Sequence, residues 1–272
     1  MTTRPVEIKL VVFDWAGTTI DFGCMAPTNA FVATFATRGI AVTVAEARGP
    51  MGLHKKDHLR AMLHTESVSA KWRGAVGRDW SEADVDDLYR DVTPRHVEAA
   101  EQHSELITGV PVLVSLLRAS GLKIAATTGY FRAAAGVVLT AAKRQGYEPD
   151  FNICADDVPA GRPAPWMIFR CMEALNVYPP AAVVKVGDTV IDIEDGRNAG
   201  CWSVGVVDSS NEMGLTAAAL AALPPRELEA RRESVRARYR AAGAHAVIDA
   251  VTSLPHLVAE LNIRLAAGGH PV

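Results

Sequence analysis

Four short, mostly apolar runs rich in β-branched residues constrain the fold of this chain more than any other feature. They span residues 8–13, 123–128, 182–186 and 203–207. Their length and composition are typical of strands that are buried on both faces of a sheet. Segments with helical periodicity separate the later runs, at residues 110–118, 132–145, 165–175 and 192–199. Strands that alternate with helices predict an α/β fold with a parallel sheet and crossover helices.

A long segment of different character follows the first strand. Its helical patterns cover residues 27–38, 55–63, 69–76 and 81–100. No confident strand pattern lies among them, so this part of the chain does not continue the sheet. We therefore predict a Rossmann-like core of residues 1–22 and 104–272, with a helical cap domain of residues 23–103 inserted after the first strand. A last edge strand is predicted at 244–248.

Composition excludes several classes of function. A net charge of −3 over 272 residues gives neither the basic surface of a nucleic-acid-binding protein nor a strong attraction to membranes. The four cysteines are scattered without a C-x-x-C pair, which argues against a zinc cluster and favours a reducing compartment. The sequence lacks a signal-peptide pattern and any apolar run near the ~20 residues that span a bilayer. We expect a soluble cytoplasmic protein.

One other segment stands out by its charge. Residues 224–240 read PPRELEARRESVRARYR, and this density of charged side chains favours a solvated helical face.

Polar side chains are predicted to meet at the carboxyl ends of the strands, where parallel sheets place their sites. Asp14 follows the first strand, Thr127 and Thr128 end the second, Asp188 follows the third, and Arg162 lies in a loop. One such Asp alone is often a helix cap or turn residue. Two carboxylates repel each other unless a cation lies between them, and oxygen ligands suit Mg²⁺.

The remaining groups of this set suit a phosphoryl ligand. The hydroxyl of Thr128 and the guanidinium of Arg162 can bind phosphoryl oxygens, and the turn after Asp14 is expected to leave backbone N–H groups free for the same oxygens. Asp14 is then a candidate nucleophile, with Mg²⁺ reducing its repulsion from an anionic substrate.

These motifs resemble the haloacid dehalogenase superfamily. The superfamily pattern has D-x-x-x-T, a strand that ends in Thr, a basic residue before a helix, and GDxxxD. The corresponding segments here are residues 14–18, Thr128, Arg162 and residues 187–192. Two departures are informative, because phosphatases of the superfamily usually have an acid where Ala16 stands and Lys where Arg162 stands. The stretches FDWAGTTID, PMGLHKKDHLRAM, TTGY, DDVPAGRPAPWM and KVGDTVIDIEDGRNAG resemble the phosphonoacetaldehyde hydrolase branch.

That resemblance implies hydrolysis of a carbon–phosphorus bond, with a small phosphonate as substrate. Lys55 would form a Schiff base with the aldehyde, so that the carbon leaves as an enamine and no acid is needed at Ala16. Asp14 would become an aspartyl-phosphate. The resemblance also implies a homodimer. The other implied roles are metal binding by Asp14, Asp188 and the Ala16 carbonyl, metal support by Asp192, phosphoryl binding by Thr128 and Arg162, and an aldehyde pocket of Tyr130, Met51 and Cys24 with His58 as proton relay.

Several alternatives remain at this stage. An ordinary Lys, with a pKa of ~10.4, is neutral in about one molecule in 2,500 at pH 7. Lys55 therefore needs a lowered pKa, to which Lys56 could contribute, or it is a solvated helix residue. A phosphatase acting on phosphate monoesters would want an acid in place of Ala16. A haloacid dehalogenase would not need Asp188 and Asp192 for Mg²⁺, and a non-catalytic phosphate-binding protein would not need Asp14.

Overall fold

The protein, described for residues 6–271 by a computed structural model, contains one sheet of six parallel strands. The strands are β1 Leu10–Phe13, β2 Lys123–Thr128, β3 Phe151–Cys154, β4 Val183–Gly187, β5 Trp202–Val206 and β6 Ala246–Ile248. The predicted α/β class and parallel sheet are confirmed. Each of the five predicted strands is present, with ends within two residues of the prediction. Residues 1–5 and 272 of the predicted core domain lie outside the described residues.

Helices cover both faces of the sheet and form the segment after β1. The helices of that segment are α1 Met25–Ala36, α2 Val44–Arg48, α3 Lys55–His64, α4 Glu66–Val76 and α5 Glu82–Gln102. Those of the core are α6 Val110–Ala119, α7 Arg132–Arg144, α8 Trp166–Ala174, α9 Val190–Asn198, α10 Ala217–Ala221, α11 Pro225–Ala241 and α12 Leu254–Ala266. Three short 3₁₀ helices occupy Ala155–Asp157, Pro180–Ala182 and Val251–Ser253. None of the helices within residues 6–271 is long and apolar enough to cross a membrane.

Alternation along β1 explains how the sheet is covered on both faces. Val11 and Phe13 pack with α6, α7 and α12, whereas Leu10 and Val12 pack with α8 on the opposite face. All four side chains are fully buried. A strand buried on both faces is apolar throughout, which is why this run was recognisable in the sequence.

The strand order places a topological switch point beside β1. The order is β3-β2-β1-β4-β5-β6, so the chain builds one half of the sheet outward from β1 and then returns to β4 on its other side. Connections that leave in opposite directions open a crevice at the carboxyl ends of these two strands. Asp14 and Asp188 follow β1 and β4 at this crevice.

The helical segment after β1 has an apolar core of its own. Its buried cluster includes Phe31, Phe35, Leu59, Trp72 and Leu88, and all members of the cluster lie between residues 30 and 92. The longest helix there, α5, begins as the sequence indicated, with the Ser81 N–H donating to Asp84 Oδ2 at 2.8 Å. This separate core supports a cap domain, and the boundaries 23–103 stay a prediction.

Some elements were missed in the sequence. Strand β3 is only four residues long and contains Asn152, whose side chain accepts a hydrogen bond from Trp15 Nε1 at 2.8 Å. Helices α2 and α10 have five residues each, too few to show periodicity. Helix α12, by contrast, carries a clear apolar face of Leu254, Leu257, Val258, Leu261 and Leu265. Its spacing was readable by the rule for amphipathic helices.

The separate cap core predicts that two leucine-to-alanine substitutions have different effects on stability. Leu88→Ala should lower the free energy of unfolding by about 2–5 kcal/mol, because Leu88 is fully buried in the cap cluster. Leu116→Ala on α6 is the control, since that side chain is 54% exposed and should change stability by less than about 0.5 kcal/mol. Urea denaturation measures both, and equal losses would contradict the packing described here.

Candidate active site

Asp14 lies in a tight loop that begins at the end of β1. The loop folds back on itself because the N–H groups of residues 18–20 all donate to the carbonyl oxygen of Trp15, at 2.8 to 3.1 Å. The Gly17 N–H donates to the carbonyl oxygen of Ile20 at 2.8 Å. The expectation that this turn leaves its N–H groups free is therefore wrong for residues 17–20, which use them to hold the loop.

Gly17 brings the backbone of this loop against Asp188. Its φ of +79° is favourable for glycine, and a Cβ at this position would lie 2.1 Å from Asp188 Oδ2. The same carboxylate oxygen accepts a hydrogen bond from the Asn211 N–H at 2.8 Å. Asp188 is fully buried, so the loop after β1 and the loop after β5 together enclose its carboxylate.

Arg162 lies at the centre of the buried charges. Its Nη2 is 2.7 Å from Asp14 Oδ1 and also donates to Thr127 Oγ1 at 2.6 Å. Its Nη1 is 2.9 Å from Asp192 Oδ1, and its Nε is 3.5 Å from Asp195 Oδ2. One guanidinium thus contacts three carboxylates. The planar array of N–H donors in arginine allows this arrangement, whereas the compact ammonium of a lysine could not reach all three.

Asp192 is held by cations on two sides. Its Oδ1 also accepts from Lys185 Nζ at 2.7 Å, and its Oδ2 accepts from Thr189 Oγ1 at 2.7 Å. Burial opposes its ionisation, but Arg162 and Lys185 outweigh burial and lower the pKa of Asp192 to about 2. Both oxygens of this carboxylate are thus engaged, which suits a supporting role.

The balance of buried charges favours a bound cation. Four carboxylates lie together among the described residues, at Asp14, Asp188, Asp192 and Asp195, and three cations are buried with them, at Arg162, Lys185 and Lys55. Full ionisation would leave an excess of one negative charge. Burial and the neighbouring carboxylates Asp14 and Asp192 accordingly raise the pKa of Asp188 well above its usual value, and burial raises the pKa of Asp14.

The positions of the carboxylates agree with that balance. One oxygen from each of Asp14, Asp188 and Asp192 lies within 4.8 Å of the others. An all-oxygen cluster with uncompensated negative charge is the donor set that hard cations prefer. These residues therefore fit a metal ion. Asp192 pairs with two cations, whereas Asp14 pairs with Arg162 alone and Asp188 has no ion pair among the described residues.

The cap contributes a buried amine to the same place. Lys55 is the first residue of α3 and is 3% exposed. Its Nζ lies 5.0 Å from the ring centroid of Tyr130 and 5.7 Å from that of Phe31. Burial lowers the pKa of Lys55 to about 8. The ammonium of the adjacent Lys56 instead pairs with Asp86, so the neighbouring lysine is not the cause of the lowered pKa.

Cap and core residues line one small cavity of about 20 Å³. A space of this size holds about one water molecule, so it suits only a small ligand. Its lining includes nine of the residues predicted from the sequence: Asp14, Ala16, Cys24, Met51, Lys55, Thr128, Tyr130, Arg162 and Asp188. It also includes Pro27, Gly52, Gly129 and Thr189, which were not predicted.

His58 and Asp192, the two other predicted residues, lie outside this lining. The His58 ring stacks on Phe31 with centroids 3.8 Å apart, and its Nε2 is 2.9 Å from the carbonyl oxygen of Ala47. Burial lowers the pKa of His58 well below its usual value, so the ring is neutral. The tautomer with a proton on Nε2 donates that bond and leaves Nδ1 as an acceptor.

Comparisons with known proteins agree with this geometry. The family model of the haloacid dehalogenase-like hydrolases matches residues 8–200. A protein of Syntrophobacter fumaroxidans named phosphonoacetaldehyde hydrolase is 46% identical over 264 residues, which cover 97% of this chain and 95% of that protein. One of Bacillus cytotoxicus with the same name is 44% identical over 253 residues, covering 93% and 96%. The chain belongs to the phosphonoacetaldehyde hydrolase family, within the haloacid dehalogenase-like hydrolases.

The similarity extends to the three-dimensional structure of this family. A crystal structure described as a phosphonoacetaldehyde hydrolase-like protein from Oleispira antarctica matches with a TM-score of 0.96 and 39% identity over the full length of both chains. The resemblance inferred from the motifs is confirmed, as is the expectation that the chain is an enzyme of this hydrolase family.

Sequence reasoning missed three positioning residues of this hydrolase. Lys185 lies in a strand that is buried on both faces. Because a buried charge requires an opposite charge beside it, an ion pair between this lysine and a carboxylate could have been predicted. Asp195 follows Asp192 by three residues on α9 and therefore shares its helix face. Asn211 acts through its backbone N–H, which carries no sequence signal.

The buried amine predicts an unusual dependence of stability on pH. With a folded pKa of about 8 against an ordinary 10.5, the unfolded chain binds more protons at Lys55 between these values, so its contribution to stability rises with pH across that window. Below pH 8 the folded protein bears the full cost of the buried charge. Lys55→Met should therefore raise the free energy of unfolding at pH 7 by roughly 3 kcal/mol, and by less at pH 10.

Urea denaturation at both pH values measures this difference. Lys56→Met is the matched control, because Lys56 is partly exposed and paired with Asp86. A gain in Lys55→Met that stayed constant from pH 7 to pH 10 would contradict a lowered pKa at Lys55.

Proposed function

We propose that the chain catalyses the Mg²⁺-dependent hydrolysis of the carbon–phosphorus bond of phosphonoacetaldehyde to acetaldehyde and phosphate. The observation that carries this proposal is that Lys55 and Asp14 line one small cavity, with Ala16 in place of an acid. Asp14 can therefore act on the phosphorus at one end of a small substrate, while Lys55 acts on the aldehyde at the other end. The names of the relatives at 44–46% identity support the same substrate.

Lys55 is proposed to supply the electron sink. Its neutral amine attacks the aldehyde carbon, and loss of water gives a Schiff base. A pKa of about 8 leaves about a tenth of the amine neutral at pH 7, roughly 200-fold more than at an ordinary lysine. The rings of Tyr130 and Phe31 keep the amine out of water. His58, three residues on along the same helix, is proposed as the proton relay, and its buried Nδ1 has no hydrogen-bond partner among the described residues.

Asp14 is proposed to be the nucleophile. Its carboxylate oxygen attacks phosphorus, the carbon–phosphorus bond breaks, and its electron pair moves to the Schiff base to form an enamine. Protonation of the enamine carbon and hydrolysis release acetaldehyde and free Lys55. Water then attacks the phosphoryl group on Asp14 and releases phosphate. The leaving group is never an alkoxide, so an acid at Ala16 has no proton to deliver.

The other residues are proposed to bind and orient the substrate. Thr128 and Arg162 hold the phosphoryl oxygens, with Arg162 fixed beside Asp14 by its 2.7 Å contact. Cys24, Met51 and Tyr130 enclose the aldehyde. Mg²⁺ would be held by Asp14, Asp188 and the Ala16 carbonyl oxygen with support from Asp192, and when bound it offsets the repulsion between the carboxylates and the phosphonate.

The cellular setting stays a prediction. We propose a homodimer in the cytoplasm that acts on a small phosphonate and has no nucleic-acid or membrane partner. These points depend on the family resemblance and on the composition described above.

Release of acetaldehyde from phosphonoacetaldehyde, measured with Mg²⁺ and with EDTA, tests the reaction itself. We expect acetaldehyde and phosphate in equal amounts with Mg²⁺, and at least a hundredfold slower release with EDTA, because the buried carboxylates then repel the substrate. Phosphate monoesters serve as the comparison substrates. Turnover of monoesters without any acetaldehyde would favour the alternative, a phosphatase on this scaffold.

Substitution of the cap lysine tests the Schiff base. Lys55→Arg should lower turnover by more than a thousandfold while leaving the fold intact, because a guanidinium keeps its charge and does not form an imine. Borohydride with substrate should add mass to the wild-type protein at Lys55 and leave this variant unmodified. Lys56→Arg is the control and should keep both activity and trapping. Substantial turnover by Lys55→Arg would rule out the proposed step.

A further inference from the structure

Helix α11 has a buried face that the charge pattern of residues 224–240 did not predict. Arg232, Val235, Arg236 and Tyr239 recur at helical spacing, so they share one face. Val235 and Tyr239 are buried there, whereas much of the helix is exposed. The solvated face predicted from the sequence is therefore one side of a helix that is docked on the core.

Ion pairs fix this docked face to the loops beyond β5 and β6. Arg232 donates to both oxygens of Asp208 at 2.8 and 2.7 Å. Arg236 contacts both oxygens of Asp249 at 2.7 to 3.1 Å. Bidentate pairs of this kind fix orientation as well as distance. They set the position of the next turn of α11, which carries Tyr239.

Tyr239 extends from α11 to the backbone of Asp188. Its side chain is fully buried, and its Oη donates a hydrogen bond to the carbonyl oxygen of Asp188 at 2.6 Å. The same Oη lies 3.1 Å from the carbonyl oxygen of Val206. Gly205 makes room for the ring, since a Cβ there would lie 2.4 Å from Tyr239 Cδ2.

Asp188 is consequently fixed at both ends. Tyr239 binds its backbone carbonyl, while the Asn211 N–H binds its carboxylate at 2.8 Å. Asp188 is also the carboxylate that lacks a cation of the protein within contact distance, among the ion pairs of the described residues. Its orientation therefore depends on these neutral hydrogen bonds and on a longer one of 3.5 Å that Thr18 Oγ1 donates to Asp188 Oδ1.

We propose that Tyr239 is a positioning residue for the metal site, which sets the direction of the Asp188 carboxylate through its backbone carbonyl. This inference rests on the proposed function, because it assumes that Asp188 binds Mg²⁺. Groups that orient a ligand typically change metal affinity by 10–100-fold when they are removed. Tyr239 acts through the backbone rather than the carboxylate, so its effect belongs at the lower end of that range. It gives the charged helix α11 a function in the site.

Isothermal titration of Mg²⁺ into the metal-free full chain tests the proposal. Tyr239→Phe removes the hydroxyl and keeps the ring, and we expect its Kd for Mg²⁺ to rise about tenfold. Tyr147→Phe is the matched control, because Tyr147 is equally buried and its Oη has no hydrogen-bond partner among the described residues. Its Kd should remain within about twofold of the wild type, whatever its thermal stability.

The outcomes separate this inference from the proposed function. A wild-type chain that binds no Mg²⁺ overturns the proposed metal site and the role of Tyr239 together. A wild-type chain that binds Mg²⁺ with the same Kd as Tyr239→Phe overturns the role of Tyr239 alone. If Tyr239→Phe does not fold, Arg236→Gln is the substitute variant, because it removes the ion pair with Asp249 that holds the same helix against the core. A weaker Mg²⁺ affinity in that variant supports the proposal, and an unchanged affinity overturns it.

Discussion

The contact of Arg162 with three buried carboxylates connects the two sides of this site in the core. The guanidinium joins Asp14 at the end of β1 to Asp192 and Asp195 on α9, across the switch point of the sheet. Removal of one partner from such a buried network leaves an uncompensated charge, which typically costs 3–5 kcal/mol. The network therefore favours a single arrangement of β1, β4 and α9. That arrangement is the one in which Asp14 and Asp188 lie side by side.

Burial acts on the carboxylates of this site and on Lys55 in opposite ways. Exclusion of water raises the pKa values of Asp14 and Asp188 and lowers that of Lys55. A cation between the two carboxylates would offset the repulsion that opposes their ionisation, whereas an amine that resists protonation becomes a nucleophile. The shared cavity thus supplies both chemical requirements of the proposed reaction. An open cap would expose Lys55 to water and restore its ordinary basicity.

Particular residues show how far sequence reasoning extended. The strands of the sheet were predictable because burial on both faces makes them continuously apolar. Asp14, Thr128 and Asp188 were predictable because they lie at the carboxyl ends of those strands. Arg162 was predictable because it is a basic residue in a loop before a helix. Strand β3 was missed because Asn152 interrupts its apolar pattern. The side chain of Asn152 accepts a hydrogen bond from Trp15, which the sequence pattern does not show. Lys55 was assigned through the family resemblance, since its residue type and helical position do not distinguish it from Lys56.

The sequence by itself determined the parallel sheet, the helical insertion after the first strand, and the residues that converge at the strand ends, because these follow from local periodicity and from the geometry of parallel strands. Only the tertiary structure decided which of the two lysines has a lowered pKa. Lys55 is enclosed by Tyr130 and Phe31, while Lys56, one residue on, pairs with Asp86 near solvent. The same holds for Tyr239 and Asn211, whose hydrogen bonds to Asp188 join segments distant in the chain. The environment of a side chain depends on neighbours that folding supplies, and no local pattern encodes them.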